Sequence, residues 1–271
     1  MRLAVGIEYA GTRYAGWQRQ PHAPSVQAEV ERALGLIADH PVEILCAGRT
    51  DAGVHALGQV AHFETEAVRP LRGWLIGVNG ELNADVALSF VQPVGADFHA
   101  RYSARARTYR YLILNRPSRS PLLEERAYWR HGPLDAERMH AAVQALIGEH
   151  DFSAFRAAEC QAKLPIRTLR SISIERAGDL ITLEVTANAF LHHMVRNIVG
   201  SALKVGLGER PVEWIAEVLA SRDRRLAGAT APPGGLYFAR VEYEERHGIP
   251  APAGPGLSAM ISAPDGRPRP R

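Results

Sequence analysis

Within these 271 residues the group best placed for chemistry is an aspartate in a glycine-flanked loop, Cys46-Ala47-Gly48-Arg49-Thr50-Asp51-Ala52-Gly53-Val54-His55. Gly48 and Gly53 let the backbone turn tightly and admit a bulky ligand. Arg49 lies two residues before Asp51, and a neighbouring cation keeps a carboxylate ionised, as a nucleophile or base must be. The plain alternative is a turn aspartate bonded to its own backbone.

A second constellation is the stretch 98–119, with arginines at 101, 105, 107, 110, 116 and 119 and no acid. Tyr102, Tyr109 and Tyr111 interleave with them. On a strand, Arg107, Tyr109, Tyr111 and Ile113 share one face and Arg110 points to the other. Cations between aromatics suit phosphate contact with base stacking, worth about 1–3 kcal/mol per stacked base. An edge strand with a solvated basic face is the alternative.

A third is Asn188-Ala189-Phe190-Leu191-His192-His193-Met194-Val195-Arg196-Asn197. Read as helix, it makes His192 and His193 neighbours of Arg196. Adjacent histidines on a helix point about 100° apart, and no acid is near in sequence, so a metal is not expected there. Arg196 is a candidate partner for a carboxylate or phosphate. Two weaker signals are the turn into a strand at Gly234-Gly235-Leu236-Tyr237-Phe238, and the loop 14–21, whose aromatics and Arg19 suit either a binding finger or a simple turn. The sequence has no phosphate-binding glycine loop, nucleophile elbow or zinc spacing.

The elements that must hold these groups follow from periodicity. Strands are expected at about 2–9, 42–46, 58–64, 86–93, 105–114, 168–176, 180–186 and 236–244. Helices are expected at about 26–39 behind Ser25, after Pro70, at 135–147 from Asp135, at 189–206 and at 211–220. The order is β-α-β-β-α-β twice. That predicts an α+β fold of two ferredoxin-like halves, 1–104 and 105–246, sharing a largely antiparallel sheet flanked by helices. Residues 247–271 hold six prolines, four glycines and no aromatic. They read as a disordered Pro/Gly/Arg tail.

Bulk properties narrow the partners. Net charge is +3, and only Lys163 and Lys204 among the 32 basic residues are lysines. Arginine richness suits RNA, although GC-rich coding produces it too. Two cysteines without metal spacing suggest a reducing cytoplasm. No apolar run is long enough for a membrane span.

Taken together, residues 14–21, 47–65, 98–111, 134–156, 188–200 and 235–238 closely resemble the tRNA pseudouridine synthase A family in order and spacing. The resemblance covers about 1–245. It implies a cofactor-free, metal-free cytoplasmic homodimer that isomerises uridine to pseudouridine at positions 38, 39 and 40 of the tRNA anticodon stem-loop. Asp51 matches the catalytic aspartate, and Tyr109 the tyrosine that packs on the target base. Arg49 matches an arginine tied to base flipping, and Arg196 one that pairs with the catalytic carboxylate. Leu236 matches the apolar wall of the base pocket. Arg69, the run Phe98, His99, Ala100, Arg101 and Tyr102, and the run Glu159, Cys160, Gln161, Ala162 and Lys163 match segments expected to touch tRNA. A tRNA-binding protein without catalysis and a metal-dependent hydrolase using the histidines are the competing readings.

Overall fold

The structure, a computed structural model, describes residues 1–160 and 162–252. The first half runs β1 (Arg2–Tyr9), α1 (Val26–Ala38), β2 (Ile44–Cys46), β3 (His55–Glu64), α2 (Leu71–Glu81) and β4 (Val86–Pro93). The second runs β5 (Ala106–Asn115), β6 (Tyr128–Arg130), α3 (Ala136–Val143), β7 (Gly148–Asp151), β8 (Ile166–Ala177), β9 (Leu180–Ala187), α4 (Met194–Gly206), α5 (Trp214–Ser221) and β10 (Leu236–Glu242).

All ten strands belong to one mixed sheet, mostly antiparallel, in the order β4-β1-β3-β10-β5-β9-β8-β7, with β2 also on β3 and β6 on β5. Leaving aside the short β6 and β7, each half contributes four strands in the same spatial order, fourth, first, third, second. The seam lies along β3. Its far end, Ala61 to Phe63, pairs with β2, whereas His55 and Ala56 at its near end pair in parallel with Tyr237 and Phe238 of β10. Because β3 is central and covered on both sides, nine of its ten residues are wholly or partly buried.

The helices obey local rules. The Ser25 hydroxyl accepts from the Ala28 N–H at 3.3 Å to start α1, and Asp135 accepts from the Arg138 N–H at 2.9 Å to start α3. Val26, Val30, Ala33 and Leu34 of α1 and Trp74 and Val78 of α2 are buried in the main core. The opposite face of β5, β9 and β10 carries a smaller cluster, Leu112, Leu114, Leu180 and Tyr237, covered by Ala127 and Leu123.

Several boundaries differ from expectation. The helix expected from 189 begins at Met194, because His193 adopts a left-handed φ of 60° at its N-cap. Residues 188–193 form a loop instead. The helix after Pro211 begins at Trp214, following a turn closed by Trp214 N–H on the Pro211 carbonyl. Strands β6 and β7 were not expected, since three or four residues carry no readable period. The stretch expected to be disordered from 247 is ordered at its start: Gln92 donates to the His247 carbonyl at 3.2 Å, and the His247 ring lies 5.1 Å from that of Phe98. The rest of that expectation, 253–271, lies outside the described residues, as does Gln161. Among the described residues no helix is long and apolar enough to cross a membrane.

Candidate active site

Asp51 sits on the loop between β2 and β3, at the seam of the two halves. Its loop is held from three sides. Val54 N–H closes a turn on the Asp51 carbonyl at 3.2 Å, with Gly53 at a φ of 75° that favours glycine. The 10–17 loop packs against it: Trp17 N–H donates to the Thr50 carbonyl at 3.0 Å, and the Tyr9 hydroxyl meets Thr50 Oγ1 at 2.8 Å. Gly11 lies so close that a Cβ there would fall 1.9 Å from the Val54 carbonyl oxygen. Below, Gly48 rests on the Phe238 ring, 2.9 Å from where its own Cβ would be. The loop that suited either a binding finger or a simple turn is therefore a clamp. Trp17 is 2% exposed, and Tyr14 is buried with its hydroxyl on Asp85.

The Asp51 side chain is 29% exposed, neither sealed in nor fully solvated. Three groups from the second half converge on it. His192 Nε2 lies 3.3 Å from Oδ1, His193 Nε2 3.4 Å from Oδ2, and Arg196 Nη1 3.6 Å from Oδ2. The cation brought to Asp51 is thus Arg196; Arg49, exposed, makes no ion pair among the described residues. The sequence has no acid near the histidines, but the fold brings Asp51 to both of them. Placing His192 and His193 in a turn rather than a helix lets both rings face one way, 3.9 Å apart. With Asp51 they offer three ligand atoms within 4.8 Å of one another, enough for a metal ion. Burial pushes the His193 pKa down, although Asp51 opposes that shift.

Each partner is positioned independently. The His192 carbonyl accepts from Ala157 N–H at 3.0 Å, and its N–H meets Cys160 Sγ at 3.4 Å. Arg196 Nε donates to the Ala231 carbonyl at 2.7 Å. The 228–231 loop that carries this acceptor lies against α4 at Gly200, where a Cβ would fall 1.7 Å from the Ala229 oxygen.

Tyr109 is 9% exposed and meets the rings of Phe190 and Phe238 edge-on at 4.9 and 5.0 Å. Burial, with Tyr9 and Asp51 nearby, pushes its pKa well above the usual tyrosine value. Across the strand pair Leu236 faces Tyr111 and Phe238 faces Tyr109, so all four share one face. Leu236 is buried.

The basic stretch 98–119 divides. The acids it lacks come from neighbouring elements: Arg110 pairs with Glu184, its direct cross-strand neighbour, at 2.5 Å, Arg105 with Glu244, and Arg116 with Asp179 at 3.8 Å. Arg107 donates to the carbonyls of Ala47, Arg101, Ala104 and Asn188, tying the Asp51 loop to the entry of α4. Arg101 and Arg69 are exposed, and neither has an acid partner among the described residues. Tyr102 is 76% exposed on the His99 ring, 4.4 Å away. Phe98 and Ala100 are buried and cannot offer side chains to a partner. Cys160 is buried too, while Glu159 and Lys163 are exposed and Ala162 packs partly on the core.

A family model described as tRNA pseudouridine synthase matches residues 6–103 and 142–244. The chain belongs to the tRNA pseudouridine synthase family. Among curated relatives named tRNA pseudouridine synthase A, it is 56% identical to that of Aeromonas hydrophila, covering 94% of this chain and 95% of the relative. It is 54% identical to that of Hydrogenovibrio crunogenus, over 92% and 95%. A chain of the solved Cbf5-Nop10-Gar1 complex aligns at 15% identity and a TM-score of 0.33 over 74% of this chain and 45% of that one. As a tRNA pseudouridine synthase, the protein is an isomerase that converts uridine in tRNA to pseudouridine. The candidate site also contains groups that the sequence offered without a role there, namely both histidines, Phe238 and Arg107. The Arg107–Tyr109 alternation was the only available hint for Arg107.

Proposed function

We propose that this chain modifies uridines 38, 39 and 40 in the anticodon stem-loop of tRNA, with Asp51 as the essential carboxylate and no cofactor. The observation that carries the reading is a partly exposed carboxylate beside an arginine, on a loop seated over the Phe238–Tyr109 pair. Isomerisation breaks the C1′–N1 bond, rotates uracil and joins C5 to C1′; the C5 proton is lost and N1 gains one. Atoms and electrons balance without a redox partner. Asp51 has three routes: attack on C1′, attack on C6, or removal of a sugar proton. Each separates uracil from the ribose, free in two routes and tethered to Asp51 through C6 in the other, and it must turn before C5 rejoins, so an aromatic face and an apolar wall that hold it serve better than an open polar cleft. Tyr109 and Leu236 supply these. The raised Tyr109 pKa keeps its hydroxyl protonated at neutral pH, which favours packing on the base over action as a phenolate.

A stem base must leave its stack, at a cost of about a few kcal/mol. Arg49, exposed beside Asp51, is suited to occupy the vacated space. Arg69, Arg101, Tyr102 and Lys163 are exposed groups suited to the polyanion. A homodimer and a cytoplasmic location rest on the family resemblance; a monomer mass by light scattering refutes the dimer.

The test is incubation of unmodified tRNA with the purified chain, followed by mapping of pseudouridine in the anticodon arm. Wild type modifies that arm, whereas Asp51→Asn binds the tRNA and leaves it unmodified. Full activity in Asp51→Asn overturns the assignment.

A further inference from the structure

The isomerisation chemistry uses Asp51 and Arg196 and assigns nothing to the two imidazoles. Their geometry is nonetheless specific. The nitrogen-to-oxygen separations of 3.3 and 3.4 Å exceed the roughly 2.7–2.9 Å of a charge-assisted hydrogen bond. The two imidazoles flank the carboxylate, one on each oxygen, and the three ligand atoms lie within 4.8 Å of one another, close enough for small side-chain rotations to bring them onto one ion. Two imidazole nitrogens and a carboxylate oxygen also form a common protein ligand set for catalytic zinc.

We propose that Asp51, His192 and His193 form a binding site for a borderline-soft divalent transition-metal ion such as Zn²⁺, and that occupancy switches the isomerase off. The three ligands are held before any ion arrives. Asp51 is on the clamped loop, the His192 backbone is gripped at both its N–H and its carbonyl, and His193 is fixed by the left-handed start of α4. All three side chains keep partial solvent access, between 26% and 37%, which gives an ion a path in and leaves a position for water. Arg196, 3.6 Å from the same carboxylate, opposes a second cation and keeps the affinity moderate. A bound ion would occupy the Asp51 lone pair, so the carboxylate could neither attack nor accept a proton. Mg²⁺, which tRNA brings with it, prefers six oxygen ligands and holds its water, so it does not compete for two imidazoles.

The switching part rests on Asp51 being the essential carboxylate; the binding part does not. The experiment therefore uses two readouts on the full, metal-stripped chain. Co²⁺ titration followed by visible absorption reports binding, and pseudouridine formation with added Zn²⁺ reports switching. The expected result is a tetrahedral Co²⁺ spectrum saturating at one ion per chain, displaced by Zn²⁺ and unaffected by Mg²⁺. His192→Gln and His193→Asn should each weaken binding by more than about tenfold, the loss that disturbing an outer-shell partner already causes. Asparagine tolerates the left-handed backbone at 193, and circular dichroism checks that both variants fold. Saturating Zn²⁺ should abolish modification and EDTA restore it.

No Co²⁺ spectrum, or unchanged binding in both folded histidine variants, overturns the site. So does loss of the spectrum in Cys46→Ser/Cys160→Ser, which would make thiols the ligands. Binding that requires both histidines, combined with undiminished modification at saturating Zn²⁺, overturns the switch while the metal site stands; activity in Asp51→Asn separately decides the role given to Asp51.

Discussion

Arg196 reaches Asp51 across the seam between the halves, with Nη1 3.6 Å from Oδ2 while Nε is bonded to the Ala231 carbonyl at 2.7 Å. The guanidinium is therefore anchored before it meets the carboxylate, and its side chain is only 13% exposed. Lysine cannot serve both ends of that bridge, because it offers a point charge and no planar fork.

Arg196→Lys should accordingly fold but lose activity by at least about tenfold, since about 1.4 kcal/mol of lost transition-state stabilisation corresponds to that factor. Arg196→Ala should also lose about 1–3 kcal/mol of stability, because it strips the donor from the Ala231 carbonyl. Single-turnover rates and urea midpoints measure the two effects. Wild-type turnover in Arg196→Lys would show that the fork is not needed.

Gly200→Ala should act on the site from a distance. Its new methyl would fall 1.7 Å from the Ala229 oxygen, so the 228–231 loop must move and carry the Arg196 acceptor with it. The expected cost is at least about 1–3 kcal/mol, as for overpacking, accompanied by lower kcat. An unchanged thermal midpoint with full activity would contradict the close approach.

Stability should fall on mild acidification. His62 is buried, with His99 and Arg2 near it, and its pKa is pushed down to about 4 from the ordinary 6.5. Between these values the unfolded chain binds the proton and the native chain does not. Stability is therefore full above about pH 6.5 and drops towards pH 4, by on the order of 3 kcal/mol for this group. His55, His99 and His193 shift in the same direction. His62→Asn keeps an acceptor for the Ala100 N–H and should flatten part of the slope between pH 7 and 5 in denaturant titrations.

Binding of tRNA should weaken steeply with salt, because phosphate contacts release counterions. Arg101→Ala should reduce the log–log salt slope by about 1. Tyr102→Ala should lower affinity by about 1–3 kcal/mol if a base stacks there, with little change in slope. A slope unchanged in Arg101→Ala would remove that residue from the phosphate-binding surface.

Much of this arrangement was legible in the sequence. Ser25, Pro70 and Asp135 marked three helix starts, and alternation located the long strands, because caps and periods are local signals. The basic stretch misled, since the partners of Arg105, Arg110 and Arg116 arrive from distant parts of the chain and only pairing across strands reveals them. The histidines misled for a related reason. A run of apolar residues from Phe190 to Ile198 has helical spacing, and nothing in it announces the left-handed turn at His193. That turn decides where both imidazoles point. The clamp formed by Gly11, Tyr14 and Trp17 was equally hidden, because burial of an aromatic loop depends on what covers it.

Strand β3 pairs with β1 along one edge, while its other edge is hydrogen-bonded to its own half at one end and, through His55 and Ala56, to the other half beside Asp51. The acid comes from one side of this joint, and the arginine and tyrosine from the other. Neither fragment of a chain cut between β4 and β5 would own the complete proposed reaction centre, and each would present a raw strand margin. Recovery of turnover on mixing the two pieces would thus time the zipping of His55–Ala56 onto Tyr237–Phe238, making catalysis a clock for the last step of assembly.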